Sequence, residues 1–396
     1  MPVARKILEA MEGSSWIRRM FEEGARLKAE FGAENVFDFS LGNPNLEPPA
    51  EFKTVLRELL EDTRAGRHGY MPNAGYPDVR DAVAVQVTKE QGVPVQGSHL
   101  VMTSGAGGAL NTVFRAILEA GDEVVVPRPY FVEYGSYVEN HQGVLKTVET
   151  SRDFDLVLGA LDEAITRKTR AVLLNSPNNP TGKIYSRHNL EELAELLDRK
   201  AIEYGRIIYV ISDEPYRKVV YGDLEVPGVF SVFPNSIVCT SYSKDLSLSG
   251  ERIGYVAANP AIAGVETLMG ALTLTNRILG FVNAPALMQR AVARLQGASV
   301  DMSFYRRNRD CLYQGLVEAG YSCHKPEGAF YLFPHSPIPN DVAFVHELQK
   351  EKILGVPGTG FGGPGHFRLA YCCSYETIER SLPGFRRAIE RVVGHM

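Results

Sequence analysis

The strongest constraint on the fold of this chain is a series of short Val/Ile/Leu-rich runs, each ending in small, polar or turn-forming residues. Residues 35–40 (NVFDFS) lead into a Gly-Asn-Pro turn. They are followed by 99–104 (HLVMTS), 123–127 (EVVVP), 144–148 (VLKTV), 171–175 (AVLLN), 207–213 (IIYVISD) and 236–240 (SIVCT). Runs that are apolar nearly throughout, rather than alternating, are what strands covered on both faces look like. Helical spacing of apolar residues falls between them, at 50–60, 76–91, 107–118 and 190–201. The alternation predicts an α/β fold with a mostly parallel, helix-covered sheet over about residues 50–290.

Beyond residue 290 the pattern changes. A long helix is predicted at 302–319, strands at 329–333, 353–356 and 367–371, and helices at 341–350 and 375–393. The expectation is a large domain at 50–290 and a smaller α/β domain drawn from both chain ends, 1–49 and 291–396. The glycine-rich run 355–365 (GVPGTGFGGPG) reads either as a turn region or as a loop able to close over a bound substrate.

In an open parallel sheet, ligands bind outside the carboxyl ends of the strands. Four segments place polar residues there. SGAGGAL (104–110) opens a helix with small residues, which suits an anion on free N–H groups. It matches neither GxGxxG nor GxxxxGK[ST]. NSPNNPTG (175–182) is a rigid polar turn that presents Asn179. SDEPY (212–216) puts Asp213 at the end of a buried strand, where a carboxylate needs a cation from a ligand or from the protein. SYSKDLSLSGERIGY (241–255) offers Ser241, Ser243, Lys244 and Arg252. Hydroxyls and a forked guanidinium suit a phosphate, and a confined lysine suits Schiff-base chemistry with an aldehyde. Taken singly, each segment also has a plain structural reading: a turn, an internal salt bridge, a surface lysine.

The net charge of −5 over 396 residues argues against a general nucleic-acid binder. No stretch approaches the ~20 apolar residues of a membrane span, and the N-terminal stretch lacks the apolar core of a signal peptide. A cytoplasmic protein is expected. The five cysteines, Cys239, Cys311, Cys323, Cys372 and Cys373, form no CxxC pair and are odd in number, so reduced thiols are expected rather than a disulfide framework or zinc site.

Together, and in this order, the four segments resemble the class I/II aminotransferases of the fold type I pyridoxal-phosphate enzymes, a likeness that covers nearly the whole chain. The resemblance implies pyridoxal 5'-phosphate as cofactor, carried by Lys244 as a Schiff base, with Lys244 also moving the proton between Cα and C4′. It implies that Asp213 keeps the pyridine nitrogen protonated and that Asn179 and Tyr216 hydrogen-bond the ring 3-oxygen. Ser104, Gly105, Ala106, Gly107, Ser241, Ser243 and Arg252 would surround the phosphate. In PRPYFVEY (127–134), Phe131 rather than Tyr130 would stack on the cofactor. In YMPNAGYPDVRDAVA (70–84), Tyr70 would reach the phosphate of a neighbouring subunit, which implies a homodimer with shared active sites. Arg368, in FRLAYC (367–372), would clamp the substrate α-carboxylate beside Asn179 and the Gly42 backbone of SLGNPN (40–45).

The implied activity moves an amino group from an amino acid to a 2-oxo acid by a ping-pong route, with aspartate-type or broad acidic/aromatic specificity. A pyridoxal-phosphate-dependent β-lyase and an alanine-type aminotransferase are the alternatives. Candidates for side-chain selection are Trp16, Ile17, Arg18 and the segment TNRILGFVNAP (275–285). Arg277 lies about one residue out of register with the arginine by which a partner subunit binds a second carboxylate in aspartate-type enzymes, and it is left unassigned.

Overall fold

The computed structural model describes residues 2–5, 7–8 and 16–394, and the side chains of Ile17 and Arg18 lie outside the described residues. The first strand, β1, is Phe37–Asp38. Seven further strands are β2 (Leu100–Thr103), β3 (Glu123–Arg128), β4 (Val144–Glu149), β5 (Thr169–Asn175), β6 (Tyr209–Asp213), β7 (Ser236–Ser241) and β8 (Gly254–Ala258). They form one sheet in the order β2-β8-β7-β6-β5-β3-β4. All its strands run parallel except β8, which lies antiparallel between β2 and β7. β8 was not anticipated: its sequence, GYVAA, lacks the branched run of its neighbours.

Strand alternation explains why both faces had to be apolar. Val172, Leu174, Val210 and Val238 face one core, and Ala171, Leu173, Ile211 and Ile237 face the other. Helices cover each face. The helix Arg187–Tyr204 illustrates how locally it is specified. Ser186 caps its start by accepting from the Asn189 N–H, and Gly205 ends it in the left-handed conformation. Leu190, Leu193 and Leu197 recur at helical spacing and are buried against the sheet, each stabilising by about 1.5–3 kcal/mol. The helices Glu133–Asn140, Leu158–Ala164, Val265–Ile278 and Ala286–Ala293 were not expected. Three of them have eight residues or fewer, too short for a periodicity to stand out.

The remaining strands are β9 (Tyr331–Leu332), β10 (Ile353–Leu354), β11 (Val356–Pro357) and β12 (Phe367–Ala370). The single strand expected at 353–356 is two. β10 pairs in parallel with β1 from the other end of the chain, while β11 joins the antiparallel group β11-β12-β9. Gly355, between them, is where the chain changes partner. A core of Tyr305, Leu312, Phe344, Phe367 and Phe385 backs these strands with the helices Met302–Glu318 and Tyr375–Val393.

The glycine-rich run is packed. Gly358 N–H donates to the His366 carbonyl (2.7 Å) and Gly363 N–H to the Gly358 carbonyl (2.9 Å). Asp341 accepts from both the backbone and the hydroxyl of Thr359. Among the described residues, no helix is long and apolar enough to cross a membrane. The five cysteines are free, with Cys239 and Cys372 buried.

Candidate active site

Strands β2, β5, β6 and β7 all end on one rim, and β8 begins there, with Gly254 opposite both Thr103 and Ser241. This register brings Ser104, Asn175, Asp213 and Ser241 side by side. The reversed β8 is what lets the chain leave the rim after Ser241, pass through Lys244 and return to it at Arg252. A cavity of about 320 Å³, open to solvent on one side, lies over this rim. Its walls include Gly42, Ala106, Gly107, Phe131, Asn179, Asp213, Tyr216, Ser241, Ser243, Lys244, Arg252 and Arg368, all expected from the sequence.

The start of the helix Gly105–Ile117 is built for close approach. Gly105 has φ +71°, and a Cβ there would lie 2.7 Å from Arg252 Nη2, so any other residue would be strained and would push Arg252 aside. Arg252 itself has φ +51°, a conformation costing a non-glycine residue about 1–3 kcal/mol. It is held by donation from Nη1 to the Ser249 carbonyl (2.9 Å) and from Nη2 to the Ser104 carbonyl (3.5 Å). A cation fixed beside unpaired helix N–H groups can hold a dianion. Ser104 contributes its backbone, and neither it nor Gly105 lines the cavity.

Asp213 is buried at the tip of β6. The Tyr134 hydroxyl donates to Oδ2 (2.5 Å), while Oδ1 is buried with no partner among the described residues. Burial pushes the carboxyl up to about 7; the Tyr134 hydrogen bond opposes this and the charge of Glu214 adds to it. Asn175 supports the neighbouring turn, donating to the Asp213 carbonyl (2.8 Å) and accepting from the Asn179 N–H (2.7 Å).

Lys244 Nζ donates to the Gly42 carbonyl (2.7 Å). Burial, opposed by Cys372 and helped by the charges of Arg368 and Arg252, lowers its pKa to about 8. The Tyr216 and Tyr331 hydroxyls meet at 2.7 Å. A Cβ on Gly42 would overlap the Tyr331 hydroxyl, so glycine is required where this loop crosses the cavity. Glu214 and Asp245, the chain neighbours of Asp213 and Lys244, are tied beneath the site by Arg217 and Lys218, each at 3.0 Å.

Arg368 is 2% exposed. It donates from Nη1 to Asn179 Oδ1 (3.0 Å) and from Nη2 to the Ser40 carbonyl (2.6 Å). Its guanidinium lies 4.5 Å from the Phe361 ring centre and 4.7 Å from that of Tyr331. Phe361 belongs to the glycine-rich run, which is thereby a wall of the Arg368 site.

Three further positions named from the sequence lie off this cavity, Tyr70 among them, which is expected to serve a neighbouring subunit. Tyr70 is 93% exposed and off the cavity. Arg277 is exposed on the helix Val265–Ile278. Trp16 packs against Gly360 rather than lining the cavity. Sequence reasoning missed Glu133, Tyr134, Tyr137, Asn175 and Tyr331, all on the cavity wall. Tyr134 had a usable signal, its place in PRPYFVEY beside Phe131. Tyr331 had none, because nothing local announces that it meets Tyr216, 115 positions away.

Buried ionisable groups converging on one cavity at the carboxyl rim of such a sheet make this an α/β enzyme. Its relatives say which kind. The family model for aminotransferase class I and II matches residues 34–383, so the chain belongs to that family and is an aminotransferase. It is 34% identical over 372 residues to a probable aspartate/prephenate aminotransferase of Aquifex aeolicus (90% of this chain, 92% of the relative). It is 35% identical over 360 residues to the aspartate/prephenate aminotransferase of Thermus thermophilus (88% and 90%). Among solved structures, an amino transferase from Eubacterium rectale superposes with TM-score 0.95 at 39% identity, covering 99% of each chain. The Thermus thermophilus aspartate aminotransferase with maleate gives TM-score 0.87 at 30% identity, covering 98% of this chain and 100% of its own. Enzymes of this family depend on pyridoxal phosphate.

Proposed function

We propose that this cavity holds pyridoxal 5'-phosphate and transfers the amino group of an aspartate-type amino donor to a 2-oxo acid in two half-reactions. The residues present suit the cofactor. The bare, buried Asp213 Oδ1 lacks a cation, which a protonated pyridine nitrogen supplies. The Gly105 cradle with Arg252 suits the phosphate, and Lys244 is the cavity's lysine. When bound, the cofactor supplies an electrophilic aldehyde and a ring that delocalises charge developing at the substrate Cα.

The chain's own residues then have separate tasks. Lys244, whose amine is moved toward neutrality with a pKa near 8, would be the residue that binds the aldehyde and that takes up or returns the proton at the substrate Cα. Asp213 holds the ring nitrogen's proton. Asn179 and Tyr216 would donate toward the ring oxygen, Phe131 would cover the ring, and Ser241, Ser243, Arg252 and the amides of residues 105–107 would hold the phosphate. Arg368 pairs with the α-carboxylate, prepositioned by Asn179 and the Ser40 carbonyl. Tyr70, exposed here, reaches the site of a second copy in a homodimer. The aspartate-type donor rests on the likeness to aspartate and aspartate/prephenate aminotransferases.

The observation that carries this reading is the meeting in one cavity of a lysine of lowered pKa, a carboxylate with a bare oxygen and a buried guanidinium. Steady-state kinetics with aspartate and a 2-oxo acid should give parallel double-reciprocal lines. Lys244→Ala should retain cofactor non-covalently and lose about 100- to 10,000-fold in kcat. Intersecting lines, sustained ammonia release, or undiminished turnover in the variant would each overturn it.

A further inference from the structure

Glu133 has no part in the chemistry above, yet it lines the same cavity. It opens the helix Glu133–Asn140, one residue before the tyrosine that donates to Asp213. Its Oε2 is buried and has no hydrogen-bond partner among the described residues. Burial raises its pKa, with the nearby Arg368 pulling the other way. Such an oxygen is costly to leave unpaired, so its donor is expected to arrive with a ligand.

The cations lining the cavity are Lys244, Arg252 and Arg368. In the reading above each is committed: to the aldehyde, the phosphate and the α-carboxylate. Among the described residues of this chain, no cavity-lining cation is left for a second substrate carboxylate. The remaining charged group that could face a substrate's side chain is Glu133, close enough to Arg368 for their charges to interact. An amino acid seated by its α-carboxylate on Arg368 would thus share the cavity with the Glu133 carboxyl group.

We propose that Glu133 reads the substrate's side chain by accepting a hydrogen bond from a hydroxyl, amide or ammonium group on it, so that one member of the substrate pair is a polar, non-acidic amino acid. The proposal rests on the aminotransferase reading of the cavity and deepens it. A ping-pong enzyme passes two substrates through one cavity, so the aspartate-type donor and a polar, non-acidic partner would both meet Glu133, which favours the second. Selectivity of this kind comes from a like charge placed against one partner as much as from a bond to the other.

The test uses the holoenzyme and the variants E133Q and E133A, with kcat/KM measured for aspartate and for asparagine, glutamine, serine, tyrosine and lysine as donors. The ratio of the best polar donor to aspartate should fall at least about tenfold in E133A, equivalent to about 1.4 kcal/mol. E133Q keeps an acceptor oxygen and loses the charge, so its fall should be largest for lysine. Cofactor absorbance checks that both variants are folded and loaded. Ratios unchanged within about twofold in both variants would overturn the proposal and leave amino transfer standing. A wild-type enzyme that transfers no amino group from any donor would overturn the underlying function and the proposal with it.

Discussion

Lys244 and Asp213 are displaced from ordinary ionisation by the same cause, burial, in opposite senses. The lysine is lowered to about 8 and the aspartate raised to about 7. For Asp213 this has a consequence in the cofactor-free protein. The folded chain keeps a proton that the unfolded chain releases near its ordinary value of 3.8. The stability this contributes is complete below that pH and is lost as the pH rises through about 7. Unfolding midpoints of the cofactor-free protein should therefore fall across this window, by up to about 1.4 kcal/mol per pH unit. Asp213→Asn should flatten the slope. A midpoint that instead rises with pH over the window, and still does so in the variant, would show that Asp213 is not held in this way. Lys244 acts in the opposite direction, since its lowered pKa makes stability rise from about pH 8 upward.

At the scale of elements, the scaffold is robust where the sequence is most regular. Leu193 is fully exposed to the core and hidden from solvent on the helix Arg187–Tyr204. Leu193→Ala should cost about 2–5 kcal/mol in denaturant unfolding without altering cofactor absorbance in the protein that remains folded. The same regularity made this helix and strands β2–β7 readable in advance. The strands announce themselves by unbroken apolar runs, and the rim residues by following them directly. What could not be read depended on distant partners. GYVAA becomes a strand because β2 and β7 sit on either side of it. Residues 353–357 split because β1 claims one half and β12 the other. Glu133 and Tyr331 join the cavity only through tertiary packing. By contrast, Lys244, Asp213, Asn179, Arg252 and Arg368 were legible, because each sits in a local motif whose residue types are unusual for a plain turn or strand.

On the scale of the whole molecule, the exposed Tyr70 makes the proposed shared site open to a complementation experiment. Neither Lys244→Ala nor Tyr70→Ala homodimers should be fully active. Mixed dimers should recover activity, since one of their two sites then carries an intact Lys244 and an intact Tyr70 from opposite subunits. Mixing that gives no gain, with exchange of subunits verified by mass, would place Tyr70 outside the partner's site. The hydrogen bond from Arg368 to the Ser40 carbonyl spans 328 positions, and this matters before any dimer exists. At about 5–20 residues per second on the ribosome, roughly 15–65 s separate the synthesis of its two ends. The loop that crosses the cavity is thus made well before the strand it waits for. A nascent chain cannot own a finished pocket until β12 has left the exit tunnel, so the pocket stays open on one side for at least that interval.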